Sequence, residues 1–264
     1  MKHSRELSLP VVVWGGSILA SITFASAYLI SVNNGTLEYP YFYLSSSIDS
    51  APASCIGSFG LSPVVLVTVP VTAWVRYEQV REITKSVANR VMVVAAFISA
   101  IGAHGVASFQ AHNGLAIHLF FAGLFFVGGM VAVLMSIVTD YYCPNMSSGA
   151  MKTARKLLAT VVCGCLLTMA VIGQLFISSS PCFTGMGCDI DDSRLVDYNF
   201  WMCVNAVLEI VTLAGIMSVY VTFLPDLEGW KVKVHIERES GVGSTDPLLG
   251  ADSLGGGAGD VLIQ

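Results

Sequence analysis

Residues 115–138 read LAIHLFFAGLFFVGGMVAVLMSIV, a run of 24 residues without Asp, Glu, Lys or Arg. As a helix it is ~36 Å long, enough to cross a hydrocarbon core of ~30 Å. It is apolar on every face, which a helix on the surface of a soluble domain is not. Working outward, five more apolar stretches read the same way, at about residues 9–32, 56–75, 91–109, 157–178 and 200–224. A membrane barrel would show segments of ~10 residues with alternating polarity, and these runs are longer and do not alternate. The sequence therefore predicts an all-α membrane protein, a six-helix transmembrane bundle. Hydrophobic residues make up 54% of the chain and charged residues 12%, against about 25% charged in soluble domains.

The basic residues orient the bundle. Twelve of the thirteen Lys and Arg fall before span one (Lys2, Arg5), between spans two and three (Arg76, Arg81, Lys85, Arg90), between spans four and five (Lys152, Arg155, Lys156) or after span six (Lys231, Lys233, Arg238). Only Arg194 falls on the other side. Short basic loops stay cytoplasmic, so both termini are expected in the cytosol. Span one, following a short basic start, reads as a retained signal-anchor. The organisation expected is a six-span domain over residues 1–228 and a cytosolic tail over 229–264, Gly- and Ser-rich and disordered from about 240. Gly102, Gly105, Gly123 and Gly128 in spans three and four are suited to close helix contact.

Two loops are expected on the lumenal face. The first carries the sequon Asn34-Gly35-Thr36, a glycosylation candidate. A second sequon, Asn145-Met146-Ser147, falls on the cytosolic side and should go unused. The second lumenal loop carries Cys182 and Cys188, a disulfide candidate at an oxidising face, although Cys55 could pair with either. Its acid run, Asp189 to Asp192, lacks the spacing of a calcium loop. Cys143, just past span four, is a free thiol or an acylation site.

Within the spans the polar residues are few. Glu209 is the one acid inside an expected span, about 13 Å deep from the lumenal end at helical rise. It should face the bundle and share a hydrogen bond, because a buried carboxylate without a partner is costly. His104, His112 and His118 gather around the turn between spans three and four. Helix capping, a pH-sensitive cluster and a metal site are the readings open there. No nucleophile elbow, zinc-protease motif, phosphate loop or dinucleotide fingerprint occurs. No enzyme activity and no cofactor is expected, and the lipid bilayer is the partner expected. Nucleic acid is not, since the bases form no groove with interleaved aromatics.

Several stretches together resemble the damage-regulated autophagy modulator (DRAM) family, within a wider group of six-span proteins with FRAG-type and Sfk-type members. Tyr43-Leu44-Ser45-Ser46 resembles the family's Y-I-S-D, and Ala51-Pro52-Ala53-Ser54-Cys55-Ile56 resembles A-P-E-x-C-L. Arg76-Tyr77-Glu78-Gln79-Val80 resembles R-Y-K-x-V. Ser108-Phe109-Gln110 resembles N-F-Q, with His118 following where the family has a histidine. Ala206-Val207-Leu208-Glu209 resembles A-x-x-E-W, and Thr222-Phe223-Leu224-Pro225-Asp226-Leu227 resembles T-F-I-x-D-F. The departures are Ser46, Ala53, Ser108 and Ile210, where the family has Asp, Glu, Asn and Trp.

The resemblance implies a non-enzymatic lysosomal or late endosomal protein that promotes autophagy. Its Sfk-type and FRAG-type relatives imply the alternatives: a plasma-membrane protein of phosphoinositide-kinase recruitment and lipid organisation, or a Golgi protein of GPI-anchor remodelling. In the tail, Ser244-Thr245-Asp246-Pro247-Leu248-Leu249 resembles a dileucine signal for sorting adaptors, with Leu248 and Leu249 as the pair and Ser244, once phosphorylated, as the upstream acid. Trp230 to Glu239 alternates apolar and basic residues and is expected to lie on the anionic leaflet.

Overall fold

The computed structural model describes residues 3–37, 43–177 and 193–236. Six helices are long and apolar enough to cross a membrane. They are α1 (Leu9–Asn33), α2 (Ala53–Ile83), α3 (Val87–Ser108), α4 (Ala111–Tyr142), α5 (Gly149–Ile177) and α6 (Ser193–Val221).

Local sequence sets the helix ends. Ser8 precedes α1 and Pro10 sits in its first turn, where its missing N–H costs nothing. Ser86 and Ser148 cap α3 and α5, accepting from the backbone N–H of Ala88 and Met151. Gly114 has an extended backbone at the start of α4, so its regular helix begins at the next residue. Inside α2, Pro70 cannot donate to the carbonyl four residues back. One π-helical turn over Val64–Thr68 takes up the mismatch, with the Val69 N–H reaching the Val64 carbonyl five residues back.

Close approach depends on glycine at the α3–α4 seam. A Cβ on Gly102 would lie 2.3 Å from the backbone nitrogen of Phe125, and one on Gly128 would lie 2.9 Å from that of Ser99. A Cβ on Gly105 would meet the Phe121 ring at 2.1 Å. Gly123, expected at the same seam, has nothing within 4 Å and faces outward.

The helices run past the expected bounds. The second reaches Ile83 rather than residue 75, and the fifth starts at Gly149 rather than residue 157. Arg76 and Arg155 are therefore helical and fully buried, not loop residues in water.

The stretch after Trp230 forms a strand. Lys231–Ile236 (β2) pairs antiparallel with His3–Ser8 (β1), from Ser8 opposite Lys231 to His3 opposite Ile236. The Leu9 N–H donates to the Trp230 carbonyl at 3.1 Å, tying the ribbon to the start of α1. The alternation in 231–236 is thus that of a strand, one half of the two-stranded ribbon. It also places the two ends of the membrane domain on the same side, as six crossings require.

Candidate functional site

The motif residues scattered along the chain meet in three places. At the lumenal end, the segment before α2 dips into the bundle as a 3-10 turn, Leu44–Ile48. The Leu44 N–H donates to Glu209 Oε2 at 3.0 Å, and Asn205 Nδ2 donates to the Tyr43 hydroxyl at 3.0 Å. The Ser31 hydroxyl of α1 donates to the Ser47 carbonyl at 2.9 Å, which holds the turn from the other side. Glu209 is 8% exposed. Its partners lie on a lumenal loop: the backbone N–H of Leu44, and the backbone and hydroxyl of Ser45.

Near the same end, His118 Nδ1 lies 2.7 Å from the Phe109 carbonyl. This contact straps the tight α3–α4 turn across its base. The three histidines do not converge: His104 meets the Ser62 hydroxyl at 3.1 Å and His112 meets Asp49 at 3.2 Å. Among the described residues no group of metal-ligating side chains is assembled.

The cytosolic end holds what the sequence reading missed. Two arginines and two aspartates from α2, α4, α5 and the 3-10 turn after α6 (Leu224–Leu227) form one buried, alternating cluster. Arg155 Nη1 donates to both oxygens of Asp140, at 2.7 and 2.9 Å, and Nη2 reaches Asp226 Oδ2 at 2.7 Å. Arg76 Nη2 donates to Asp140 Oδ1 at 3.0 Å. Arg76 Nη1 sits 3.1 Å from Asp226 Oδ2, close enough for an ion pair but not aligned as a hydrogen bond.

Ser147, Thr222 and Phe223 complete the cluster. The Ser147 hydroxyl donates to Asp226 at 2.7 Å and accepts from Arg155 at 2.8 Å. Thr222 accepts from Arg155 through both its hydroxyl and its carbonyl. The Phe223 ring lies under both guanidinium groups, 4.7 Å from Arg155 and 5.2 Å from Arg76. Two positive and two negative charges cancel, which is how four ions tolerate burial.

Glu209 is therefore not the sole acid buried in the bundle. Asp140, two residues beyond the expected end of span four, and Asp226, in the turn after span six, are buried as well. Arg76 and Asp226 belong to two of the quoted motifs, and their pairing gives both a physical purpose. Ser147 is also the third residue of the cytosolic sequon, and its hydroxyl is committed to the cluster.

Among the other candidates, Asn34 is exposed at the end of α1, its N–H bonded to the Ile30 carbonyl at 2.9 Å. Cys182, Cys188, Leu248 and Leu249 lie outside the described residues. Cys143 is buried, 2% exposed. Burial pushes its thiol up, against the opposing pull of the Arg76 guanidinium. Both effects of burial argue against acylation, which needs an accessible thiolate. With reductant present, an impermeant maleimide applied after permeabilisation should modify the exposed Cys55 and leave Cys143 untouched. Ready labelling of Cys143 at neutral pH would contradict the packing around it.

Glu209 gives a second expected result. Glutamine retains a carbonyl oxygen that can accept from the Leu44 N–H, so Glu209→Gln should keep the lumenal turn docked. Glu209→Leu would leave a buried donor unpaired, at a cost of about 1–3 kcal/mol. Thermal unfolding of detergent-purified protein should separate the two. Equal melting of Gln and Leu forms would show that the bond to Leu44 contributes nothing.

Between these two ends lies a cavity of about 370 Å³, walled by α1, α2, α3, α4, α6 and the lumenal turn. Its lining is mostly aliphatic and aromatic, with Glu209 and His118 among its polar members.

Six spanning helices closed by one lumenal and one cytosolic polar clamp define a multi-pass membrane protein of the bundle type. A family model described as Frag1/DRAM/Sfk1/Cwh43P N-terminal domain matches residues 8–230, and the chain belongs to that family. The match ends at Trp230, one residue before the ribbon strand β2. Among curated proteins the chain is similar to human DNA damage-regulated autophagy modulator protein 1, 24% identical over 225 residues, which cover 83% of this chain and 90% of that protein. No solved structure matches.

Proposed function

We propose that this chain is a lysosomal or late endosomal membrane protein that modulates autophagy, acting through binding within the bilayer rather than by catalysis. The observation that carries the reading is the nearly end-to-end similarity to a human autophagy modulator. The buried polar groups are committed to one another. The arginines and aspartates of the cytosolic cluster neutralise one another, and Glu209 is engaged by the lumenal turn. Neither centre presents a free nucleophile or base to a substrate. Tail residues Leu248 and Leu249 would supply sorting to lysosomes through adaptor binding.

Loss of the gene should change autophagic flux, read as the turnover of a lipidated autophagosome marker with and without blocked lysosomal degradation. Flux equal to that of parental cells, under both feeding and starvation, would refute the role. The second reading, a lipid-organising protein of the plasma membrane or Golgi, draws support from the intramembrane cavity. It predicts unchanged flux with altered phosphoinositide distribution or GPI-anchored surface protein.

A further inference from the structure

The cavity sits at membrane depth. Its lining runs from Val13 to Phe24 on α1 and from Glu209 to Val221 on α6. Twelve or thirteen residues of helix span ~17 Å. At its lumenal end Leu44, Ser45 and Ile48 of the docked turn close it. Two of its lining residues, Ser21 on α1 and Ala214 on α6, are exposed rather than buried. Each stands at or beside the midpoint of its spanning segment, Leu9–Asn33 and Asn199–Leu227. The opening between α1 and α6 therefore faces the hydrocarbon core, not water.

We propose that this cavity is a binding site for one hydrocarbon chain of a bilayer lipid, entering sideways between α1 and α6. Shape and lining select the occupant. The space follows the bundle for ~17 Å with a mostly apolar lining, the run of an extended acyl chain along the bilayer normal.

The wall chemistry agrees. Hydroxyls along it are turned back onto their own helices: Ser17 donates to the Val13 carbonyl, Ser21 to that of Ser17 and Thr72 to that of Thr68, each within 2.9 Å. They make little demand on water, and the surface left facing the space is apolar. An apolar cavity of ~150 Å³ already stays dry and takes up small hydrocarbons, and this one is larger and opens to an acyl-chain solvent. One lining group, the buried Tyr220 hydroxyl, has no partner among the described residues.

The π-helical turn helps to form the space. Val64, Val65 and Thr68, all within that turn, line the cavity. Close α1–α2 contact is made beside it, where a Cβ on Gly16 would meet the Thr68 side chain at 2.6 Å.

The test uses the full chain in phospholipid vesicles doped with one of two photoactivatable probes. One is a phosphatidylcholine carrying a diazirine in its acyl chain, and the other is a sterol carrying a diazirine on its ring system. After illumination, adducts are mapped by mass spectrometry. The expected result is acyl-probe adducts on cavity residues such as Phe24 and Leu213, lost in Ala214→Trp at the mouth and in Ala20→Phe in the wall. Val207→Trp, on a lipid-facing side of α6, should leave those adducts in place. Monodisperse elution of all three variants guards against misfolding. Adducts confined to outward residues such as Phe120 and Leu167 would overturn the proposal. So would cavity labelling by the sterol in preference to the acyl probe, or cavity labelling that survives both filling variants.

Discussion

Asp140→Ala should destabilise the protein by about 3–5 kcal/mol, among the largest effects of any single substitution in the chain. Asp140 takes two bonds from Arg155 and one from Arg76, and both arginines are fully buried. Removing it leaves two guanidinium groups facing one carboxylate at the cytosolic edge of the bundle. Arg155→Ala should be comparably damaging, because Arg155 also holds Thr222 and Ser147. Arg155→Lys should rescue little, since one ammonium cannot replace a planar fork that serves four residues. The discriminating variant is Arg76→Ala combined with Asp140→Ala, which restores one cation to one anion. It should melt above Asp140→Ala alone. If it melts lower, by the sum of the two single effects, the four ions are not acting as one neutral unit.

The second large effect is expected at Gly102. Valine there would drive a side chain into backbone atoms of α4, with Phe125 N at 2.3 Å and both Leu124 C and Phe121 O at 2.8 Å. Backbone inside a helix cannot yield as a flexible side chain can, so α3 and α4 must separate. A cost at or above about 1–3 kcal/mol follows from overpacking, with cavity and turn disturbed as well. Gly123→Ala is the matched control. Its new methyl group would meet nothing within 4 Å, and alanine favours helix over glycine by about 0.8–1 kcal/mol. Size-exclusion profiles and melting in detergent should show Gly102→Val aggregated or strongly destabilised and Gly123→Ala unharmed. Tolerance of both would mean that the helices do not meet as closely as the structure has them.

The spanning helices were legible because hydropathy alone identifies a segment that must satisfy its backbone in lipid. Their ends were not. A span read from sequence stops at the first charge, which puts Arg76 and Arg155 in loops. Charge is a fair marker of the membrane surface only while it stays solvated, and here four charges cancel and go inside. The signal was present in the quoted stretches: Arg76 begins one, Asp226 lies in another, and Asp140 follows span four with Arg155 leading into span five.

Glu209 was found from its depth, but its donor, the Leu44 N–H, is 165 positions away. The ribbon shows the same limit. Val232, Val234 and Ile236 alternate plainly, yet the partner strand lies at the other end of the chain. The cavity had no signature at all, since it arises beside the π-helical turn of α2 and from a spacing of helices that sequence order does not reveal.

The proposal that this family member works at the lysosomal membrane is open to a direct test of location. A small tag at the chain's own genomic locus, imaged at native expression against lysosomal, Golgi and plasma-membrane markers, is the measurement. The account predicts that the signal follows the lysosomal marker and shifts toward the cell surface when Leu248 and Leu249 are both replaced by Ala. A steady-state signal on the plasma membrane or Golgi, unchanged by that replacement, would contradict it.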